Sequence, residues 1–211
     1  MIPIGLLGGS FNPVHMGHLV VAEEARQRLG LERVLFVPAR VSPHKLGKPL
    51  APAEDRLRMV QLAIADNPAF EASDLELRRD EPSYSIDTVQ QLREQSGGEW
   101  DIHFLVGADT LAELPAWHRI GELADLCKFV VFSRPEERGA GTPRPQDALE
   151  PLRTALRDDQ VAAIAARRIE IPLIGVSSTD IRRRVREGVS IRYLVPEAVR
   201  CTIVAKGLYR Q

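Results

Sequence analysis

Apolar residues recur along the chain in two spacings, and the alternation between them predicts the architecture. Ile2 to Leu7 is a short, mostly apolar run, and after a glycine turn Leu19, Val20, Ala22, Ala25 and Leu29 are apolar at helical spacing. Arg33 to Pro38 is rich in β-branched and aromatic residues and is closed by a proline, which predicts a second strand. Strand, helix, strand over this length is a βαβ unit, so the sheet is expected to be parallel. Ala53 to Ala65 reads as an amphipathic helix, with Leu57, Val60, Leu62 and Ile64 apolar and Arg56 and Arg58 solvated on its polar side. Partial alternation of Phe70, Ala72, Leu75 and Leu77 predicts a strand over Phe70 to Leu77. A helix is expected to open at Pro82-Ser83-Tyr84-Ser85, with Ser85 as its N-cap, and to run through Thr88, Val89 and Leu92. Trp100 to Val106, Lys128 to Ser133 and Arg168 to Ile171 read as further strands. Ser177 and Asp180 fit a capping box for a helix that Gly188 ends, and Pro196 opens a last helix whose Val199, Ile203 and Val204 face packs on the sheet. The class is α/β, an open doubly wound parallel sheet in a single domain over 1–211. Residues 136–159 form a surface excursion with a helix near Ala148 to Leu156, and a C-terminal helical segment lies near 179–206.

Composition narrows the function classes. The chain has 211 residues, 44% apolar and 27% charged, with a formal net charge of −1. That balance suits a soluble globular protein and argues against a sequence-blind nucleic-acid binder. No apolar run approaches membrane-spanning length, and the N-terminus enters a strand without a basic, secretory-type stretch, so a cytoplasmic location is expected. Cys127 and Cys201 are far apart, and both are expected to be buried thiols in a reducing compartment.

The densest chemical signal is Gly8-Gly9-Ser10-Phe11-Asn12-Pro13-Val14-His15-Met16-Gly17-His18. A strand, a glycine turn and a helix start bring backbone N–H groups to the positive end of a helix dipole, a place that binds phosphate. Gly8 and Gly9 permit close approach or positive φ. His15 and His18, three apart, share one face of the first helical turn and can donate to phosphate oxygens. The stretch is neither the G-x-G-x-x-G fingerprint nor a loop ending in Gly-Lys-Ser/Thr. Two histidines so spaced also suit a metal-dependent hydrolase, although no Cys or third His stands nearby in the chain.

Other candidates stand at strand ends, where doubly wound folds bind ligands. Gly107-Ala108-Asp109 follows the Trp100 strand, and Asp109 reads equally as the cap of a helix over Thr110 to Leu114. Trp117, beside Pro115, is either a core plug or a face for a flat ring. Arg134 follows the Lys128 strand, and its planar fork suits phosphate. Ser177, Ser178, Thr179 and Arg182 place hydroxyls and a guanidinium at a second helix start, which builds a cap, a phosphate cradle, or both.

G-G-S-F-N-P-x-H-x-G-H resembles the signature of the nucleotidyltransferases with paired histidines, and within them is most similar to bacterial nicotinate-nucleotide adenylyltransferases. The likeness runs from Gly8 to Tyr193 and includes an ungapped Ser177-Ser178-Thr179-x-Ile181-Arg182 stretch. It implies a Rossmann-like nucleotidyltransferase fold and adenylyl transfer from ATP to nicotinate mononucleotide, giving nicotinate adenine dinucleotide and pyrophosphate. By resemblance His15, His18 and Arg182 are catalytic. Gly8, Gly9, Ser10, Phe11, Gly107, Asp109, Ser178 and Thr179 join them in binding ATP. Lys45, Tyr84, Thr88, Trp117, His118 and Arg134 face nicotinate mononucleotide. Mg²⁺ is expected to bind mainly through ATP phosphates, with few protein ligands and none assigned among the residues. Two departures are Asn12, where many relatives have Asp, and Ser85 in place of a threonine. Nicotinamide mononucleotide or phosphopantetheine as acceptor, and a non-catalytic ATP-binding module, remain the rival readings; the oligomeric state is open. The cytidylyltransferase stretch Arg-Thr-x-Gly-Ile-Ser-Thr-Thr is missing.

Overall fold

The computed structural model describes residues 1–41, 49–79, 82–133, 147–172 and 174–210. At its centre β1 (Ile2–Gly9) lies between β2 (Arg33–Pro38) and β4 (Trp100–Gly107), parallel to both. With β3 (Phe70–Ala72), β5 (Lys128–Ser133) and β6 (Arg168–Glu170), the described residues form a six-stranded parallel sheet of order β3-β2-β1-β4-β5-β6. The chain winds outward from β1 to one edge, then returns to β4 and winds to the other. The strand order therefore reverses between β1 and β4, and the crevice at their carboxyl ends is the expected ligand site.

Helices cover both faces, which is why the central strands are near-continuous apolar runs. On one face Ile4, Leu6, Ile102, Phe104, Phe129 and Val131 pack with α3 (Ser85–Gln95), α4 (Ile120–Leu126) and α5 (Asp158–Ala166). On the other, Leu7, Val34, Phe36, Leu105 and Val130 pack with α1 (Met16–Leu29), α2 (Ala53–Ala63), α6 (Ser178–Arg186) and α7 (Glu197–Ala205). Each fully buried large side chain here contributes about 1.5–3 kcal/mol. Among the described residues no helix is long and apolar enough to cross a membrane.

Several local expectations are corrected. The strand predicted over Phe70 to Leu77 stops at Ala72, because the chain turns through Asp74, whose carbonyl accepts from the Leu77 and Arg78 amides. The helix expected over Thr110 to Leu114 is two separate short turns, Ala108–Thr110 and Leu114–Ala116, and Asp109 lies inside the first instead of capping it. The helix expected near Ala148 to Leu156 is a tight helical stretch, Asp147–Thr154, and α5 then forms over Asp158–Ala166, a stretch to which the sequence pattern assigned no element. Tyr84, not Ser85, takes the N-cap position of α3. Only the serine half of the capping box forms at α6. The Ser177 hydroxyl accepts from the Asp180 amide (3.1 Å), while the Asp180 carboxylate pairs with Arg184 (2.7 Å) and Arg183. Cys127 is buried, and burial pushes its thiol far up, but Cys201 is exposed on α7.

Candidate active site

Gly8 and Gly9 end β1, and the loop beyond them turns through Phe11, whose φ of 43° is left-handed. The strained residue is thus Phe11, since neither Gly8 nor Gly9 has positive φ. The Phe11 ring is buried, tilted on Phe36 (5.8 Å) and edge-on to His18 (5.0 Å). Asn12 and Pro13 are joined by a cis peptide. The Asn12 side chain accepts from the Ala51 amide (3.0 Å) and donates to the Pro49 carbonyl (3.4 Å), so it pins the segment before α2 to the loop. An aspartate could make only the first of these bonds.

His15 is the N-cap of α1, and its ring stacks on that of His18 with centroids 3.7 Å apart. The His15 amide donates to His18 Nδ1 (3.1 Å). A neutral His18 must then carry its proton on Nε2, which makes that nitrogen a donor. Gly17 leaves room for this pair: a Cβ there would lie 3.0–3.1 Å from the His15 ring and would displace it slightly. The helix start offers fewer open amides than its dipole suggests. Met16 N–H donates to the Leu194 carbonyl (3.0 Å) and His18 N–H to that of His15 (2.9 Å).

The second motif closes on the first across most of the chain. Ser178 Oγ donates to the Pro13 carbonyl (2.8 Å), and Arg182 Nη1 donates to that of Asn12 (2.8 Å). Arg182 Nη2 also reaches Thr179 Oγ1 (3.2 Å), and burial lowers the guanidinium's proton affinity. Beside these groups lies a cavity of about 430 Å³, lined by His15, His18, Gly107, Asp109, Ser177 and Ser178 among others. The Asp109 carboxylate folds over Gly107, where any Cβ would collide with it.

A second cavity of about 450 Å³ is lined by Gly9, Ser10, Glu76, Ser83, Tyr84, Ser85, Glu113 and His118. Both cavities also touch Gly8, Phe104, Thr110 and Trp117, so they share a wall. Trp117 packs edge-on to Phe104 (5.7 Å) and Phe129 (6.3 Å), which makes it a core plug and a cavity wall at once. Tyr84 and His118 rings lie 4.6 Å apart. Thr88 stands behind this surface, buried, with its hydroxyl donating to Glu76 Oε1 (2.6 Å) and accepting from Arg79 (3.0 Å). Burial pushes the Glu76 carboxyl up, against the donors Thr88 and Ser83. Lys45 and Arg134 lie outside the described residues.

Sequence reasoning missed two groups. Glu76 lay in a segment read as strand. Arg56, read as solvated, is 1% exposed and donates to backbone carbonyls of Ser10 and Ala39. A carbonyl acceptor leaves no mark in a sequence.

A family model described as cytidylyltransferase-like matches residues 6–184. A protein from Roseiflexus sp. named "Probable nicotinate-nucleotide adenylyltransferase" is 46% identical over 208 residues, 99% of this chain and 98% of that one. A protein of the same name from Geobacillus thermodenitrificans is 41% identical over 206 residues, 98% of this chain and 85% of its own length. The fold matches that of Plasmodium falciparum nicotinic acid mononucleotide adenylyltransferase, solved with NaAD, at a TM-score of 0.76 and 18% identity, covering 99% of this chain and 98% of that one. The chain belongs to the cytidylyltransferase-like family and, within it, to the nicotinate-nucleotide adenylyltransferases.

Proposed function

We propose that this chain transfers the adenylyl group of ATP to nicotinate mononucleotide, giving nicotinate adenine dinucleotide and pyrophosphate, a reading supported by relatives named nicotinate-nucleotide adenylyltransferase. The observation that carries the reading is the shared wall. A cavity holding both histidines and the α6 start adjoins a cavity of aromatic rings at the switch point of the sheet. Two substrates seated there meet beside His18.

The acceptor phosphate is already an anion, so the reaction needs neither a general base nor a side-chain nucleophile. An oxygen of the mononucleotide phosphate bonds to the α-phosphorus as the bond to the β-bridging oxygen breaks, and its electron pair leaves with pyrophosphate. Catalysis is then in-line positioning and charge stabilisation. In this reading His18 donates from Nε2 to the α-phosphate as charge develops, and His15 attends the neighbouring phosphates. Ser178, Thr179 and Arg182 hold the outer phosphates, and Gly107 and Asp109 flank the adenosine. Gly8, Gly9, Ser10 and Phe11 supply backbone to the nucleotide. Trp117, Tyr84 and His118 receive the pyridine ring, Thr88 buttresses them, and Lys45 and Arg134 serve the mononucleotide phosphate.

Among the described residues no group of three or more His, Cys, Asp or Glu could hold a metal ion. Among the described residues that line it, the histidine cavity carries one carboxylate, Asp109, which fits a Mg²⁺ that would be held mainly by the phosphate oxygens of ATP and would neutralise charge there.

Pyrophosphate release with ATP and Mg²⁺ tests the reading, with nicotinate and nicotinamide mononucleotides compared. Fast release with the acid form alone is expected. Equal release with both overturns the ring specificity, and release with neither overturns the acceptor.

A further inference from the structure

Arg56 sits in α2 with its whole side chain inside the protein, 1% exposed. Its Nε donates to the Ala51 carbonyl (3.0 Å), Nη1 to those of Ser10 (2.8 Å) and Ala39 (2.6 Å), and Nη2 to that of Arg40 (2.9 Å). Among the described residues it has no carboxylate partner. Burial lowers its proton affinity, yet a guanidinium stays charged at neutral pH. A buried cation without a counter-ion is costly, and here only carbonyl dipoles compensate it.

Those carbonyls belong to three segments: the loop after β1, the end of β2 and the chain entering α2. Ser10 and Ala39 both line the cavity of aromatic rings. Gly8, two residues before Ser10, lines that cavity and the histidine cavity alike, so the loop held by Arg56 leaves the wall the two share. Across a trans peptide the carbonyl and the following N–H point in opposite directions. With its carbonyl turned to Arg56, the Ser10–Phe11 peptide turns the Phe11 N–H away from the guanidinium.

We propose that Arg56 is a positioning residue for the phosphate site: it fixes the Ser10 peptide and sets a positive charge, held by carbonyl dipoles and no carboxylate among the described residues, behind the loop that receives the nucleotide's phosphates. This rests on the reading of that loop as the ATP site. A tie of purely structural use would alter stability and leave nucleotide affinity alone. A lysine keeps the charge but cannot span carbonyls in several directions with a planar fork, so Arg56→Lys separates the two roles.

The test is ATP affinity of the full chain by titration calorimetry, for wild type, Arg56→Lys and Arg56→Met, below each protein's melting transition. Expected is a loss of about tenfold or more for Arg56→Lys and a larger loss for Arg56→Met. Wild-type affinity in folded Arg56→Lys overturns the proposal. If neither variant folds, the wild type decides by NMR. Shifts of the Arg56 Nε–H and of the Ser10 and Phe11 amides on adding ATP support the proposal, and signals unmoved at saturation overturn it. Dinucleotide formation by the wild type is assayed in parallel. ATP binding without dinucleotide overturns the acceptor and leaves the Arg56 contrast standing, whereas no ATP binding overturns both.

Discussion

The two cavities share a wall but are built on different principles. The histidine cavity is walled by polar groups fixed over long distances in the chain: Ser178 in its wall donates to the Pro13 carbonyl, and Arg182 of the same helix donates to that of Asn12. The ring cavity is walled by aromatic faces set by nearby packing, Tyr84 on His118 and Trp117 on Phe104, with one buried carboxylate, Glu76, behind hydroxyls. The first arrangement suits charge that develops during reaction, and the second suits a flat ring that is present from the start. Changes in the first should therefore act on kcat, and changes in the second on acceptor KM.

The largest effect is expected from His18→Ala, a loss of about a hundredfold or more in kcat, the scale of one transition-state donor. Acceptor KM should stay within a few-fold, and steady-state kinetics with each substrate varied reads both. Thr88→Val tests the other side. It strips the 2.6 Å donor from buried Glu76 and should lower stability by about 1–3 kcal/mol in urea unfolding. Acceptor KM should rise while that of ATP holds, and the reverse split would break the contrast between the cavities.

Gly17→Ala should cost roughly tenfold in kcat with the fold kept, because the new methyl pushes the His15 ring out of its stack by a fraction of an ångström. The smallest effect is a control far from the chemistry. Glu23 on α1 is bonded by Arg26, Gln27 and Asn67, and the Arg26 guanidinium leads in holding its carboxyl down to about 2. A depressed carboxylate stabilises the fold above its ordinary value of 4.5 and loses that contribution as pH falls through about 2. The side chain is 37% exposed, so solvent screening leaves about 0.5 kcal/mol. Wild type minus Glu23→Gln should show that difference near neutrality and lose it as pH falls through about 2, with kcat near neutrality unchanged.

The ring cavity and the histidine cavity also differ in how far a sequence reveals them. β1, β2, β4 and β5 were legible because strands buried on both faces must be apolar throughout. The histidine pair and the Ser178 to Arg182 stretch were legible as dense local patterns, and their meeting follows from the winding of the sheet. The ring cavity depends on Glu76, which sits in a turn without periodicity and becomes informative only once Thr88 and Ser83 stand beside it. Arg56 was misread for a related reason. An arginine in an amphipathic helix is ordinarily solvated, and what buries this one is a set of carbonyls from three segments, two of them well removed from its helix in the chain.

The central claim is that phosphorus passes directly from one cavity to the other. The stereochemical course at the α-phosphorus tests it, with ATP bearing a chiral α-phosphorothioate and nicotinate mononucleotide as acceptor. A single in-line displacement predicts inversion of configuration in the dinucleotide product. Retention would contradict the account, because it requires two displacements and hence an adenylylated side chain, with His15 and His18 the nearest nucleophiles to hold it.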